Sequence, residues 1–222
     1  MDKTVLNSDY FKNRNLNDLQ RVQSFQSESI FIKSLISKGK LLDVGCSTGE
    51  MIEALDWDGE CFGMEIIDDA KKIAEMRGIR FDKNIFNSID YFDVIIYRGT
   101  IQHINTPFLF LQKTFDALRP GGKIVFLATP NVNCIYFKLW NTLPFLDYPT
   151  ICYFIPHDKW LIQTMENFGF KFKKKRYPYL KSPYSSLIKD HLKFIIKLFG
   201  ANVAFPFWRN SMDMIFEKPT ND

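Results

Sequence analysis

The stretch LLDVGCSTGEMIEAL, residues 41–55, decides the fold. Its apolar run is interrupted by Asp43, two glycines follow four residues apart, and an apolar spacing typical of a helix begins after Gly49. Gly45 can adopt a positive φ or let a ligand approach the backbone, and Gly49 can open the helix without a side chain in the way. Such a turn suits a phosphate, a nucleoside or a plain strand-to-helix connection.

The glycine spacing narrows these three alternatives. A dinucleotide fingerprint needs three glycines, as G-x-G-x-x-G, and GCSTG has two; a P-loop needs a lysine after the last glycine, and Glu50 stands there. Glu65 ends the next apolar segment, CFGMEI, where its carboxylate could accept hydrogen bonds from a ribose diol. These residues favour a nucleoside without a pyrophosphate. The remaining interpretation is a turn glycine beside an exposed acid at the end of a strand.

Strand and helix patterns alternate around this turn. The predicted strands are KLLDVG, CFGMEI, IRF, FDVIIYRG, KIVFLATPN, KFKKKRY and SMDMIFEK, with helical patterns between them. The rhythm predicts a doubly wound, mostly parallel α/β sheet of seven strands, with helices on both faces and an antiparallel last strand. We expect a single domain over 1–222, with an N-terminal helical cover over 1–38 and cap segments at 132–157 and 178–210.

Composition narrows the class of protein. A net charge of +4 over 222 residues is mild, so it neither requires nucleic acid nor excludes an anionic substrate. Four scattered cysteines without a C-x-x-C pair argue against a zinc site and a disulfide scaffold, and favour a reducing compartment. The first residues lack the apolar region of a secretory signal, and no uncharged apolar run reaches the roughly 20 residues of a membrane span. We therefore expect a soluble, cytoplasmic protein.

The chain resembles class I S-adenosylmethionine-dependent methyltransferases, which have a Rossmann-like fold. The segments that carry the resemblance are LLDVGCSTGEMIEAL, CFGMEI, FDVIIYRGTIQHINTPFLFLQKTFDALRPGGKIVFLATPN and the late NFGF, over about residues 9–218. It looks most like a bacterial branch with ubiquinone O-methyltransferases and enzymes of surface-polysaccharide and lipid pathways. The resemblance implies methyl transfer from S-adenosylmethionine to a hydroxyl or amine of a small or glycan-linked molecule.

Two other functions remain open. The domain could bind S-adenosylmethionine without catalysis and act as an assembly or regulatory partner, or it could be a nucleotide-sugar or NAD-dependent enzyme. We expect no metal, because a metal-dependent catechol-type enzyme would need clustered oxygen ligands and Arg98 replaces the acid that such enzymes carry. We expect no nucleic-acid substrate, because YRGT lacks the Asp/Asn-Pro-Pro-Tyr of the DNA amino-methyltransferases.

The resemblance also implies where the cofactor binds. Glu65 would hold the ribose hydroxyls and Ile66 would pack against the adenine. Where the family often has an acid for the adenine amino group, this chain has Asn84, with Asp82 slightly early. Arg98 would bind the methionine carboxylate or an acidic substrate group, unless it is a solvated charge at a strand end. The residues expected around the methionyl part and its carboxylate are Asp43, Gly45, Cys46, Gly49, Tyr10 and Arg21.

Histidine and amide side chains after the fourth and fifth predicted strands and in the cap are candidates for the chemistry. His103 is the candidate general base, since related enzymes often carry a histidine near the transferred methyl; otherwise it is a helix-start histidine bonded to the backbone. The substrate-side candidates are Gln102, Asn131 and His157. The last of these could instead serve only as a structural residue near a helix N-cap.

The pattern of the late segment LIKDHLKFIIKLFG predicts a basic amphipathic helix. Ile188, Leu192, Ile195 and Phe199 form an apolar stripe, and three lysines form another. Region 186–200 could therefore touch an anionic membrane as a peripheral protein does. It could also pack its apolar stripe on the domain or on a second subunit of a homodimer.

Overall fold

The computed structural model describes residues 19–82, 84–144 and 152–220. Its α-helices are α1 (Leu19–Lys33), α2 (Glu50–Leu55), α3 (Asp68–Met76), α4 (Pro107–Ala117), α5 (Ile135–Trp140), α6 (Asp158–Asn167) and α7 (Leu187–Leu198). Its strands are β1 (Leu41–Val44), β2 (Cys61–Met64), β3 (Phe92–Arg98), β4 (Leu118–Pro130), β5 (Lys171–Arg176) and β6 (Ser211–Glu217). Short 3₁₀ helices cover Ile85–Asn87, Ile101–His103 and Pro178–Lys181.

The strands form one sheet in the order β2-β1-β3-β4-β6-β5. β1 pairs in parallel with β2 and β3, β3 pairs in parallel with β4, and β6 runs antiparallel to β4 and β5. The predicted antiparallel last strand is therefore confirmed. Within the described ranges the sheet has six strands, because the predicted IRF strand is reduced to one bridge between Phe62 and Arg80. Gly78 turns the chain just before it, with φ 79°, which leaves too few residues for a ladder.

Alternating strand side chains pack against helices on both faces of the sheet. On one face Leu42 and Ile95 join residues from α4 and α6. On the other face Leu41 and Ile96 join residues from α1, α2 and α3. Helices cover both faces as predicted, and α1 is the described part of the N-terminal cover. That 1–222 forms a single domain stays a prediction.

The two predicted cap segments pack on each other in their described parts. Tyr136 of α5 meets Phe205 with ring centroids 5.1 Å apart, and Phe194 of α7 stacks on Phe207 at 4.7 Å. These rings belong to a buried cluster distinct from the two that face the sheet. The cap segments follow the carboxyl ends of β4 and β5, so the cap begins at the sheet edge where ligands bind in this class of fold.

Candidate active site

A first cavity of about 530 Å³ lies at the carboxyl ends of β1, β2 and β3. Ligands of doubly wound sheets bind at this edge, where neighbouring connections leave in opposite directions. The volume falls within the roughly 300–1,000 Å³ of small-molecule sites. Its walls are formed by Val44, Gly45, Gly63, Met64, Glu65, Ile66, Lys71, Glu75, Phe81, Asp82, Ile85, Thr100, His103, Ile104, Asn105 and Phe110.

The glycine turn is built as its sequence predicts. Gly45 has φ 80° and Gly49 has φ 81°, in the left-handed region that favours glycine. A Cβ at Gly45 would come within 2.7 Å of the Thr100 side chain, and one at Gly49 within 2.4 Å of Ile79 Cδ1. Both glycines are therefore required by conformation and by space, and Gly45 forms part of the first cavity's wall.

Glu65 ties the end of β2 to this turn. Its Oε2 accepts a hydrogen bond of 3.0 Å from the Ser47 amide. Its Oε1 accepts two more, of 2.7 Å from the Ile66 amide and 3.0 Å from the Ile67 amide. A carboxylate offers about four lone-pair positions, so Glu65 retains capacity for a ligand hydroxyl. Ser47 reaches it with φ 52°, an uncommon conformation for a residue other than glycine.

Asp43 carries a buried carboxyl just before the turn. It is 2% exposed, and its Oδ1 is buried without a hydrogen-bond partner. Burial raises its pKa to about 7; the Arg98 charge lowers the pKa, while the carboxylates of Glu65 and Glu28 raise it further. A buried acid with an unsatisfied oxygen is unfavourable unless a cation or donor reaches it. Asp43 itself lines neither cavity, so the cofactor role predicted for it stays a prediction.

His103 lies in the wall of the first cavity. Its Nε2 is 3.3 Å from Nε2 of Gln102, and its Nδ1 is 3.9 Å from Sγ of Cys152. Gln102 is 6% exposed and donates from Nε2 to the Gly99 carbonyl at 3.0 Å, whereas its Oε1 is buried without a partner. The histidine is therefore accessible from the cavity, and an amide is fixed next to it.

A second cavity of about 420 Å³ opens at the carboxyl ends of β3, β4 and β5. Arg98 lines it and forms a two-pronged ion pair with Glu28 of α1: Nε to Oε2 at 2.6 Å and Nη2 to Oε1 at 3.1 Å. The residues around it are Ser24, Ser27, Glu28, Arg98, Ala128, Arg176, Pro178, Tyr179, Lys181, Ser182, Pro183, Tyr184, Ser185, Pro206, Asn210 and Ser211. The wall combines three cationic side chains and one carboxylate with many hydroxyls.

Arg176 at the end of β5 lies in this wall and is held by two neighbouring side chains. Its Nε donates to Oδ2 of Asp213 at 2.7 Å and its Nη1 donates to Oγ of Ser27 at 3.1 Å. Its Nη2 is buried without a partner. Burial raises the pKa of Asp213 to about 6, a shift that the Arg176 charge opposes. Nearby, Ala128 holds φ 48° where the pairing of β4 with β6 shifts register, a kind of bulge that often adjoins a site.

Several predicted site residues lie away from the first cavity's wall. Cys46 is 4% exposed and packs beneath the turn, and burial raises the pKa of its thiol. Arg98 faces the second cavity, paired with Glu28. Arg21 forms an ion pair of 2.7 Å with Glu50. Tyr10 lies outside the described residues. The cofactor roles predicted for these residues stay predictions.

Of the residues predicted to contact the adenine, some line the first cavity and others do not. Asp82 and Ile85 line the first cavity, whereas Asn84 is exposed and donates its amide to Oδ1 of Asp82 at 2.8 Å. An adenine amino group in this cavity would therefore meet Asp82 first.

Asn131 is fully buried at the root of the cap. Its Oδ1 accepts from the amides of Asn133 and Asp158, each at 3.1 Å, and its Nδ2 donates to the Arg209 carbonyl at 2.8 Å. His157 is the N-cap of α6, with Nδ1 accepting from the Trp160 amide at 3.1 Å. These bonds give Asn131 and His157 structural roles in holding the cap, and neither lines the two cavities.

Three residues of the site escaped the sequence analysis. Glu28 carries no local signal, because its partner Arg98 is distant in sequence. Arg176 and Asp213 did have a local sequence signal, because an acid within the apolar strand SMDMIFE needs a buried partner.

Comparison with known proteins identifies the family. A family model described as a methyltransferase domain matches residues 14–174, which is more than half of the 222 residues. The chain belongs to this family. The predicted resemblance to class I S-adenosylmethionine-dependent methyltransferases is thereby confirmed.

Two curated relatives of this methyltransferase domain are ubiquinone biosynthesis O-methyltransferases. The one from Idiomarina loihiensis is 29% identical over 110 residues, covering 42% of this chain and 43% of the relative. The mitochondrial one from Rattus norvegicus is 26% identical over 119 residues, covering 47% of this chain and 34% of the relative. The match thus spans less than half the length of either relative, and what those enzymes act on describes those enzymes.

A solved structure shows the same fold. The methyltransferase from Thermotoga maritima described as a possible histamine N-methyltransferase matches with a TM-score of 0.64 at 17% identity, over 95% of this chain and 94% of that one. At this identity the likeness shows the fold alone. The predicted Rossmann-like methyltransferase fold is confirmed.

The residues present fit S-adenosylmethionine. Glu65 lies in the wall of the first cavity with acceptor capacity left for a ribose hydroxyl, and Asp43, with its unpartnered buried oxygen, directly precedes the wall residues Val44 and Gly45. In residues 19–82, 84–144 and 152–220, no group of three or more His, Cys, Asp or Glu side chains is placed to hold a metal ion. Metal independence stays a prediction.

Proposed function

We propose that this chain transfers a methyl group from S-adenosylmethionine to a hydroxyl or amine of a small molecule. The observation that carries the proposal is the first cavity, whose wall brings together Gly45, Glu65, Ile66 and His103. They come from three separate stretches of the sequence, and the resemblance to the family implies a separate role for each of them.

The cofactor half of the mechanism rests on charge and position. When bound, S-adenosylmethionine supplies a methyl group on a cationic sulfonium. Glu65 would accept hydrogen bonds from the ribose hydroxyls and fix the nucleoside along the end of β2. Asp43, whose pKa is raised to about 7 by burial, would lose its proton as the positive charge approaches. Both carboxyl groups then align the donor for an in-line displacement.

For the acceptor half of the mechanism, we assign the acceptor to the second cavity, which lies beside the first. Segment 98–103 contributes Arg98 to the second cavity and His103 to the first, so this segment joins the two. A hydroxyl or ammonium acceptor must lose a proton when it is methylated, and His103 would accept that proton. The cationic side chains and the hydroxyl-rich wall of the second cavity suit an acceptor with polar or anionic groups.

The finer features of the function are part of this proposal. We place the acceptor among sugar, glycan or lipid-pathway intermediates, because aromatic and hydroxyl side chains line the second cavity. The matched ubiquinone biosynthesis O-methyltransferases favour a hydroxyl. A cytoplasmic location and the absence of a nucleic-acid substrate are proposed on the sequence alone.

Formation of S-adenosylhomocysteine tests the proposal. The purified protein is incubated with S-adenosylmethionine and panels of phenols, sugars and amines, and product is quantified by mass spectrometry. We expect turnover with at least one panel, and His103→Ala should lower kcat by about 10²–10⁴-fold while the affinity for S-adenosylhomocysteine is kept. Tight binding without turnover on any panel would instead favour a non-catalytic binding domain.

A further inference from the structure

The apolar face of α7 points away from the rest of the protein. Ile188, Leu192, Ile195 and Phe199 follow one another at three or four residues, so they share one helix face. Their exposed fractions are 76%, 58%, 50% and 88%. A contiguous apolar surface of this kind marks a contact with another molecule. The sequence alone left open whether this stripe packs on the domain, and the structure directs it outward.

Contacts on the opposite face fix this orientation. Asp190 is 3% exposed and accepts hydrogen bonds from the Tyr179 hydroxyl at 3.1 Å and the Ser186 amide at 2.7 Å. Phe194 stacks on Phe207, and Lys197 lies 5.3 Å from the Trp140 ring centroid. Turning the apolar stripe inward would break all of these contacts. The outward stripe is therefore specified by the packing of the cap.

Positive charge runs beside the stripe. Lys189 directly follows Ile188 and Lys193 directly follows Leu192, so both lie to one side of the apolar stripe, whereas Lys197 is turned inward onto the Trp140 ring. Lys189 is exposed and the other two lysines are partly buried. The acid of this helix, Asp190, is buried and bonded within the cap. The outer surface of α7 is thus apolar, with positive charge from Lys189 and Lys193 on one side of it.

We propose that α7 docks in the plane of a lipid bilayer that carries anionic head groups. An amphipathic helix with lysines beside an apolar face has this binding mode, and each basic side chain near an anionic surface adds attraction. A second copy of the chain fits less well, because a two-fold contact through the same face would bring the basic side chains beside the two stripes together. The twelve residues of α7 are shorter than the roughly 20 of a membrane span, which agrees with docking at the surface.

Docking would act on the segment that also shapes the second cavity. Tyr179, Tyr184 and Pro206 of segment 178–210 line that cavity, and α7 lies in the same segment. The docking proposal nevertheless stands without the proposed methyl transfer, because it rests on exposure and charge alone.

Sedimentation with vesicles tests the proposal. The full chain is mixed with vesicles of phosphatidylcholine, or of phosphatidylcholine with phosphatidylglycerol, and the bound fraction is measured without cofactor. We expect binding to the anionic vesicles, and the double substitution Ile188→Glu with Phe199→Glu should weaken it by about tenfold or more, since two apolar anchors are lost and two negative charges gained. Met76→Glu, at a side chain 80% exposed on α3, is the matched control and should bind as the wild type does.

A charge reversal tests the contribution of the basic side chains separately from that of the apolar stripe. Lys189→Glu should weaken binding to anionic vesicles by roughly fivefold or more, and Lys72→Glu, at a side chain 73% exposed on α3, should not. Thermal melts confirm that each variant is folded. Equal binding to both vesicle types, or no binding to either, would overturn the proposal. Concentration-dependent dimers lost in the double variant, without vesicle binding, would assign the face to a second copy instead.

Discussion

The two cavities at the carboxyl edge of the sheet are assembled differently. The first is organised by a glycine turn in which backbone amides hold Glu65. The second draws its walls from segments between Ser24 and Ser211 and is braced by two ion pairs, Glu28–Arg98 and Arg176–Asp213. Local backbone geometry thus makes the site assigned to the cofactor, whereas pairing over long sequence distances makes the site assigned to the acceptor. Changes at either cavity should reveal this difference.

The largest effect is expected at the Glu28–Arg98 pair. Arg98→Met would leave Glu28, whose side chain is 7% exposed, as an uncompensated buried charge, and should lower the free energy of unfolding by about 3–5 kcal/mol. Adding Glu28→Gln should restore part of that loss. Urea unfolding measures both.

The exposed pair Arg80–Glu60 supplies the control. Its side chains are 64% and 42% exposed, so Arg80→Met should cost about 1 kcal/mol or less. If Arg98→Met costs no more than Arg80→Met, the second cavity is not braced by its ion pair.

A smaller effect is expected at the glycine turn. Gly45→Ala places a Cβ within 2.7 Å of Thr100 at φ 80°, so it should cost about 2–3 kcal/mol of stability and weaken cofactor binding. Gly78→Ala has a similar φ, 79°, with open space around its Cβ, and should cost about 1 kcal/mol from backbone strain alone. Equal losses in the two variants, measured by urea unfolding, would show that the contact with Thr100 does not matter.

The smallest effect is a pH dependence at Asp43. Its pKa is raised to about 7, so the carboxyl gains its negative charge as pH rises through this value. Affinity for the cationic S-adenosylmethionine should therefore increase by about tenfold from pH 6 to pH 8, and less for S-adenosylhomocysteine, which lacks the sulfonium. Asp43→Asn should flatten the titration. A pH profile unchanged by that substitution, measured by calorimetry, would separate Asp43 from cofactor binding.

The sequence predicted the first cavity better than the second for a physical reason. Gly45, Gly49 and Glu65 act through short-range backbone geometry, which leaves a readable spacing. The Glu28–Arg98 pair joins residues 70 positions apart, and such pairing depends on packing that no local pattern encodes.

Periodicity has a related limit. It identified the apolar stripe of α7 without showing which way it faces, since the inner contacts come from Tyr179, Trp140 and Phe207. Periodicity also did not predict the number of strands correctly, because the IRF segment has the composition of a strand but is too short to form a ladder. Alternation therefore predicts the class of fold, and side-chain contacts between distant segments decide the details.

Calorimetric titration with S-adenosylhomocysteine tests the central claim most directly. The wild-type chain should bind it, and Glu65→Ala should weaken the affinity by roughly 10–100-fold, because a charge-assisted hydrogen bond to the ribose is lost. Glu166→Ala, at an exposed acid of α6, should leave the affinity unchanged, and NAD should not bind. Absence of S-adenosylhomocysteine binding, or equal affinity in the wild type and Glu65→Ala, would contradict the assignment of the first cavity to the cofactor.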